Sequence, residues 1–85
     1  MDNRQLLYEE VVQITRAYLG PAADRFIDRQ IYNHLHKKSR NLSEEELYAL
    51  IDWIGATVSL LTEESRVVEQ YTEQLKKLAM KRRIK

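Results

Sequence analysis

The sequence predicts an all-α fold, a small four-helix bundle-like domain with short loops and a basic C-terminal helix end. Three observations lead there. Apolar residues recur at helical steps of three and four in four separate segments. Two glycines and one proline (Gly20, Pro21, Gly55) are the only punctuating residues in 85, too few for the tight turns of an all-β chain. Where segments meet, the residues are those of helix caps and corners. The expected organisation is one helical domain over residues 1–78, with helices at about 3–19, 21–37, 43–61 and 63–80, then a basic tail over 79–85.

The first helix rests on Leu7, Val11, Ile14 and Tyr18, which fall on one stripe. Asp2 or Asn3 suits its N-cap. Gly20 should end it, because glycine takes the left-handed conformation at C′ without strain. Pro21 then opens the second helix, where its missing N–H costs nothing. The second stripe is Ala23, Phe26, Ile27, Ile31 and Leu35, with Gln30 and His34 beside it. Arg25, Arg29, Tyr32 and His36 make a separate line on a neighbouring face. Lys37-Lys38-Ser39-Arg40-Asn41 reads as a basic loop, its lysines suited to a helix C-terminus.

The third helix has the strongest start. Ser43 and Glu46 form a capping box, Leu42 and Leu47 occupy the hydrophobic-staple positions, and Glu44 and Glu45 complement the dipole. Its apolar positions are Leu47, Leu50, Ile51, Ile54, Val58 and Leu61. Gly55 inside it should cost about 1 kcal/mol relative to alanine, which predicts a close approach by a neighbouring helix, assisted by Ala56. Thr62 is the expected cap of the fourth helix, with Glu63 and Glu64 in its first turn. Val67 or Val68, Tyr71, Leu75 and Leu78 mark its stripe. Tyr8, Tyr32, Tyr48 and Trp53 lie off or at the margins of these stripes and would form a docking face or a homodimer contact if they cluster.

The length allows one domain with a stability margin of about 3–5 kcal/mol. An apolar fraction of 44% is enough to fold, and 32% charged residues favour solubility. With no cysteine there is neither a disulfide framework nor a thiolate metal site, in keeping with a cytoplasmic chain. The polar start Met1-Asp2-Asn3-Arg4-Gln5 leads into no apolar run, so no signal peptide is expected. Ile54 to Leu61 is far short of a membrane span. The net charge of +1 hides an asymmetry: residues 1–75 hold eight basic and thirteen acidic residues, whereas Lys76, Lys77, Lys81, Arg82, Arg83 and Lys85 follow with no acid. Such an end suits an anionic partner or nucleic acid.

The residues assemble no catalytic set. His34 and His36 are two apart on a helix and point about 200° away from each other, so they cannot share a metal. His36 instead has Asp28 or Tyr32 within reach for a hydrogen bond. Ser39, Ser43, Ser59 and Ser65 sit in no nucleophile elbow, and Ser43 is explained as a cap. Asp24 with Asp28, and Glu69 with Glu73, read as solvated helix faces beside Arg25, Arg29 and Arg66. There is no glycine-rich phosphate loop. A helix-turn-helix built from the second and third helices would meet DNA with Glu44-Glu45-Glu46. No enzyme activity, metal or cofactor is expected.

Leu19-Gly20-Pro21-Ala22, a long amphipathic helix, and Leu42-Ser43-x-x-Glu46 opening a leucine-spaced helix together resemble small helical accessory domains. These are appended to bacterial signalling proteins such as Ser/Thr kinases and response regulators. The resemblance covers about Arg16 to Leu61, rests on capping and packing signals, and carries over no catalytic residue. It implies an accessory role in signalling or protein association. The chain departs from that pattern in the Arg25/Arg29 line, the histidine pair and the basic terminus. The expected function is a non-enzymatic protein-protein interaction or regulatory module docking through helix faces, with itself among its partners. Its contact residues would be Arg25, Arg29, Tyr32, Tyr48 and Trp53. The alternative is nucleic-acid binding through Lys76, Lys77, Lys81, Arg82, Arg83 and Lys85, supplemented by Lys37, Lys38 and Arg40.

Overall fold

The computed structural model describes residues 3–38 and 40–83, with side chains over 6–38 and 40–81. Helix α1 runs Asn3–Leu19, a 3-10 turn covers Gly20–Ala22, and α2 runs Ala23–Leu35. Helix α3 spans Glu44–Ser59 and α4 spans Ser65–Arg83. No strand occurs among the described residues. Because α1, the 3-10 turn and α2 follow one another without an intervening loop, they form one long helix bent at the Gly20-Pro21 corner. The domain is therefore three rods, one of them bent, and not four separate ones. Its radius of gyration of 12.0 Å equals the ~12 Å of a compact chain of this length.

The corner forms as the residues dictate. Gly20 has φ +72°, and a Cβ there would meet nothing within 4 Å. The glycine is needed for its backbone angle and not for space. The proposed cap Asp2 lies outside the described residues, and Asn3 is the first helical residue.

Helix α2 stops at Leu35, two residues before the expected end. His36 takes the left-handed conformation (φ 58°, ψ 40°), its N–H donating to the Tyr32 carbonyl. That conformation costs a non-glycine residue roughly 1–2 kcal/mol. It also turns the chain so that Lys37 reaches Glu46 on α3, both carboxylate oxygens accepting from Nζ at 2.9 Å. The capping box is complete: the Ser43 hydroxyl accepts from the Glu46 N–H at 3.1 Å, and Glu46 Oε1 accepts from the Ser43 N–H at 3.0 Å. Both staple residues, Leu42 and Leu47, are fully buried.

The α3–α4 connection departs from expectation. Helix α3 ends at Ser59, and Leu60, Leu61 and Thr62 donate to the carbonyls of Thr57 and Val58 in a closing turn. Leu61, expected in the core, is 65% exposed because the chain has left the helical register. The Thr62 hydroxyl accepts from the Glu64 N–H at 3.2 Å, so it ties the turn and does not cap α4. Glu63 and Glu64 precede the helix instead of filling its first turn. At its other end α4 continues to Arg83 with Ala79 buried, so the helix runs three residues past its expected end at 80 and into the basic tail.

The core gathers Leu7, Val11, Ala23, Ile27, Ile31, Leu47, Leu50, Ile51, Ile54, Val58, Tyr71, Leu75 and Leu78, as the stripes imply. Tyr8, Val12 and Thr15 are buried too. Helix α1 packs against both α2 and α4, and two neighbours cover more of a helix than one stripe does. Helix α4 makes the most extensive packing with α3.

Gly55 is the close approach. A Cβ there would lie 3.1 Å from the Thr72 methyl on α4; Ala56 is exposed and takes no part. Thr72 cannot easily yield, since its hydroxyl donates to the Val68 carbonyl at 3.0 Å. Gly55→Ala should therefore leave the urea midpoint within about 0.5 kcal/mol of wild type, contact strain offsetting the helix-propensity gain. In a Thr72→Ser background, which lacks the methyl, the same change should stabilise by about 1 kcal/mol. Equal gains in both backgrounds would show that Thr72 does not set the limit.

Candidate interaction surface

The core-facing side of α2 carries Ala23, Ile27 and Ile31, which leaves Arg25, Arg29 and Tyr32 on its outer side. There they line a groove of about 440 Å³ together with Asp28 and Lys38. Tyr32 is 52% exposed. Lys38 joins because the turn at His36 brings it back, its Nζ 5.9 Å from the Tyr32 ring centroid. The groove holds three cations and one carboxylate.

That carboxylate is already occupied. Asp28 accepts from the Tyr8 hydroxyl at 2.7 Å through Oδ1 and from Arg40 at 3.2 Å through Oδ2. The Arg40 guanidinium lies over the Tyr8 ring, 5.1 Å from its centroid. Burial, then the bond to Asp28 and its negative charge, push the Tyr8 hydroxyl well above its ordinary pKa. The network fastens the loop after α2 onto α1 and α2. It takes up Arg40, as Glu46 takes up Lys37, so neither cation is spare for the basic patch expected of that loop. Asp28 bonds to Tyr8 and Arg40, and His36 has no part in that network. Arg25 and Arg29 have no side-chain ion pair among the described residues, and Lys38 has only the Tyr32 ring.

The remaining contact candidates lie elsewhere. Trp53, 53% exposed, stacks on His34 with ring centroids 4.4 Å apart and planes 11° from parallel. His34 and Tyr32 are two residues apart on α2, about 200° around the helix, so Trp53 and the groove are on different faces. Tyr48 is half-buried against the core. Of the five, then, Arg25, Arg29 and Tyr32 are brought together, while Tyr48 and Trp53 are not. Lys76, Lys77 and Lys81 are exposed along α4. The side chains of Arg82 and Arg83, and Lys85 entirely, lie outside the described residues, as does Ser39.

Neither Asp28 nor Lys38 belongs to the expected protein-contact set, Lys38 being expected only to supplement the basic tail. Asp28 shares the α2 face with Arg25, Arg29 and Tyr32 and was visible in the helical spacing. Lys38 follows a left-handed residue, so no periodicity could place it. Among the described residues, no three His, Cys, Asp or Glu side chains are grouped to hold a metal ion. No helix there is long and apolar enough to cross a membrane. No protein-family model, curated protein or solved structure matches the chain.

Proposed function

We propose that this chain is a non-enzymatic, cytoplasmic interaction module that docks a protein partner on the outer face of α2. One observation carries the reading: Arg25, Arg29 and Lys38, free of ion pairs among the described residues, surround a half-exposed Tyr32 in a groove on a helix whose other side is locked in the core. Tyrosine and arginine are the side chains enriched where interfaces hold most of their binding energy. The rigid helix beneath them limits the entropy lost on docking. The resemblance to accessory domains of signalling proteins gives the module a regulatory setting.

Crosslinking followed by pull-down tests the face. Arg29→Glu should lose the partner and Trp53→Ala should keep it, both with unchanged circular dichroism because both side chains are exposed. Partners unchanged in both variants would remove this face from consideration. Nucleic-acid binding is the second reading, favoured by the exposure of Lys76, Lys77 and Lys81 without ion pairs among the described residues. Steeply salt-dependent retention of RNA or DNA, lost in Lys77→Glu/Lys81→Glu and kept in Arg29→Glu, would support it instead.

A further inference from the structure

The α3–α4 turn is the chemical complement of the α2 groove. Leu60 and Leu61 are 86% and 65% exposed, more than any other large apolar side chain described. Burying such a pair would be favourable, and nothing among the described residues covers it. Glu63 and Glu64 follow directly, both exposed and without a cation partner among the described residues. The segment is not limp. Leu60, Leu61 and Thr62 are bonded to the end of α3, and the Thr62 hydroxyl holds the Glu64 amide. A pre-set turn loses little freedom on docking.

We propose that the groove of one copy receives the Leu60–Glu64 turn of a second copy. Leu60 and Leu61 pack against Tyr32 and the aliphatic stems of the arginines, while Glu63 and Glu64 meet Arg25, Arg29 and Lys38. This rests on the reading of α2 as the docking face and names what docks there. The charges match in sign and nearly in number: among the described residues, three cations without an ion pair stand on one side and two carboxylates without one on the other. Asp28, the one acid in the groove, is held by Tyr8 and Arg40 and opposes the incoming glutamates little. The contact joins two different surfaces, so association is heterologous and proceeds head to tail, growing with concentration until a ring closes. A contact this small belongs to the weak, transient class.

The test is a charge exchange read by sedimentation equilibrium on the full chain. Wild type should show a mean mass that rises with concentration and falls back when salt is added. Arg25→Glu/Arg29→Glu and, separately, Glu63→Lys/Glu64→Lys should each weaken association about tenfold or more. Mixed together, the two reversed proteins should associate again, since opposite charges then face one another. Leu60→Ser/Leu61→Ser should weaken association without altering its salt dependence, and circular dichroism confirms that each variant is folded. Wild type remaining monomeric up to about 1 mM, beyond the range of such weak contacts, would overturn the proposal. So would association that Trp53→Ala abolishes while the charge variants keep it. A monomeric wild type whose pull-down partner is still lost in Arg29→Glu would leave the docking face standing and reject only the second copy as its occupant.

Discussion

Tyr71→Ala should destabilise the domain by about 3–5 kcal/mol, as large-to-small changes of buried aromatics do. That is comparable to the whole margin of about 3–5 kcal/mol available to a single core of this size. Chemical denaturation should therefore find the variant largely unfolded in buffer. Tyr71 is fully buried, with its ring tilted against Tyr18 at 5.0 Å. Its hydroxyl lies 2.6 Å from Thr15 Oγ1, and the Thr15 proton is already given to the Val11 carbonyl at 2.7 Å. Tyr71 must therefore donate. Tyr71→Phe leaves Thr15 still bonded and should cost about 1 kcal/mol, whereas Thr15→Val strands a buried donor and should cost about 1–3 kcal/mol. The double variant should cost less than the two together. Full additivity would show that the hydroxyls are not coupled.

The same burial makes stability sensitive to alkali. Desolvation pushes the Tyr71 hydroxyl from its ordinary 10.0 up to about 12, although Thr15 acts the other way once it turns its proton toward the phenolate. The unfolded chain then ionises first. The contribution is complete below about pH 10 and is lost as pH rises through about 12. Urea midpoints of Tyr71→Phe should fall less steeply over that interval than those of wild type.

Glu46→Ala should cost about 1–2 kcal/mol, the range of a lost helix cap with a smaller share from a partly exposed ion pair. One carboxylate serves two purposes. It accepts from the Ser43 N–H to close the start of α3, and it receives both bonds from Lys37, the residue after the left-handed turn. Removing it frees the helix end and the connection from α2 together. Glu46→Gln retains an acceptor for Ser43 and loses only the charge, so it should cost about half as much. Partial burial alone would raise the Glu46 pKa, but the Ser43 bonds and the Lys37 ammonium outweigh it and hold the group below its ordinary 4.5. Its contribution is thus present above that value and lost as pH falls through the lower folded one. Glu46→Gln should remove this part of the acid sensitivity, and an unchanged acid limb would show that the pair with Lys37 is inconsequential.

Much of the helical plan is legible in local chemistry. Gly20 ends α1 at the residue expected, Ser43 and Glu46 close their box, and Gly55 marks the approach of α4 through Thr72. Each signal acts over a few residues, where backbone sterics and capping decide the outcome. The misplaced boundaries have another origin. Helix α2 stops two residues short where Lys37 finds Glu46, nine residues away, and Leu61 leaves the core because α3 closes at Ser59. A one-helix pattern cannot register either bond.

The candidate surface was half legible. Arg25, Arg29 and Tyr32 share a face by helical spacing alone, and they do line one groove. An aromatic outside the core stripes looks alike on any helix, so spacing cannot separate Trp53 from them; its stacking on His34 assigns it to another face. Tyr8, marginal by helical spacing, is the buried donor that occupies Asp28.

The amino-acid order by itself determined the all-α class, the corner at Gly20-Pro21 and most of the core, since periodicity and capping act between near neighbours along the chain. Only the tertiary structure decided which charges are spent. Lys37 and Arg40 are neutralised across the fold, while Arg25, Arg29 and Lys38 find no carboxylate among the described residues. The physical reason is range: an ion pair depends on where two side chains meet in space, and spacing along one helix says nothing about what another segment brings to it.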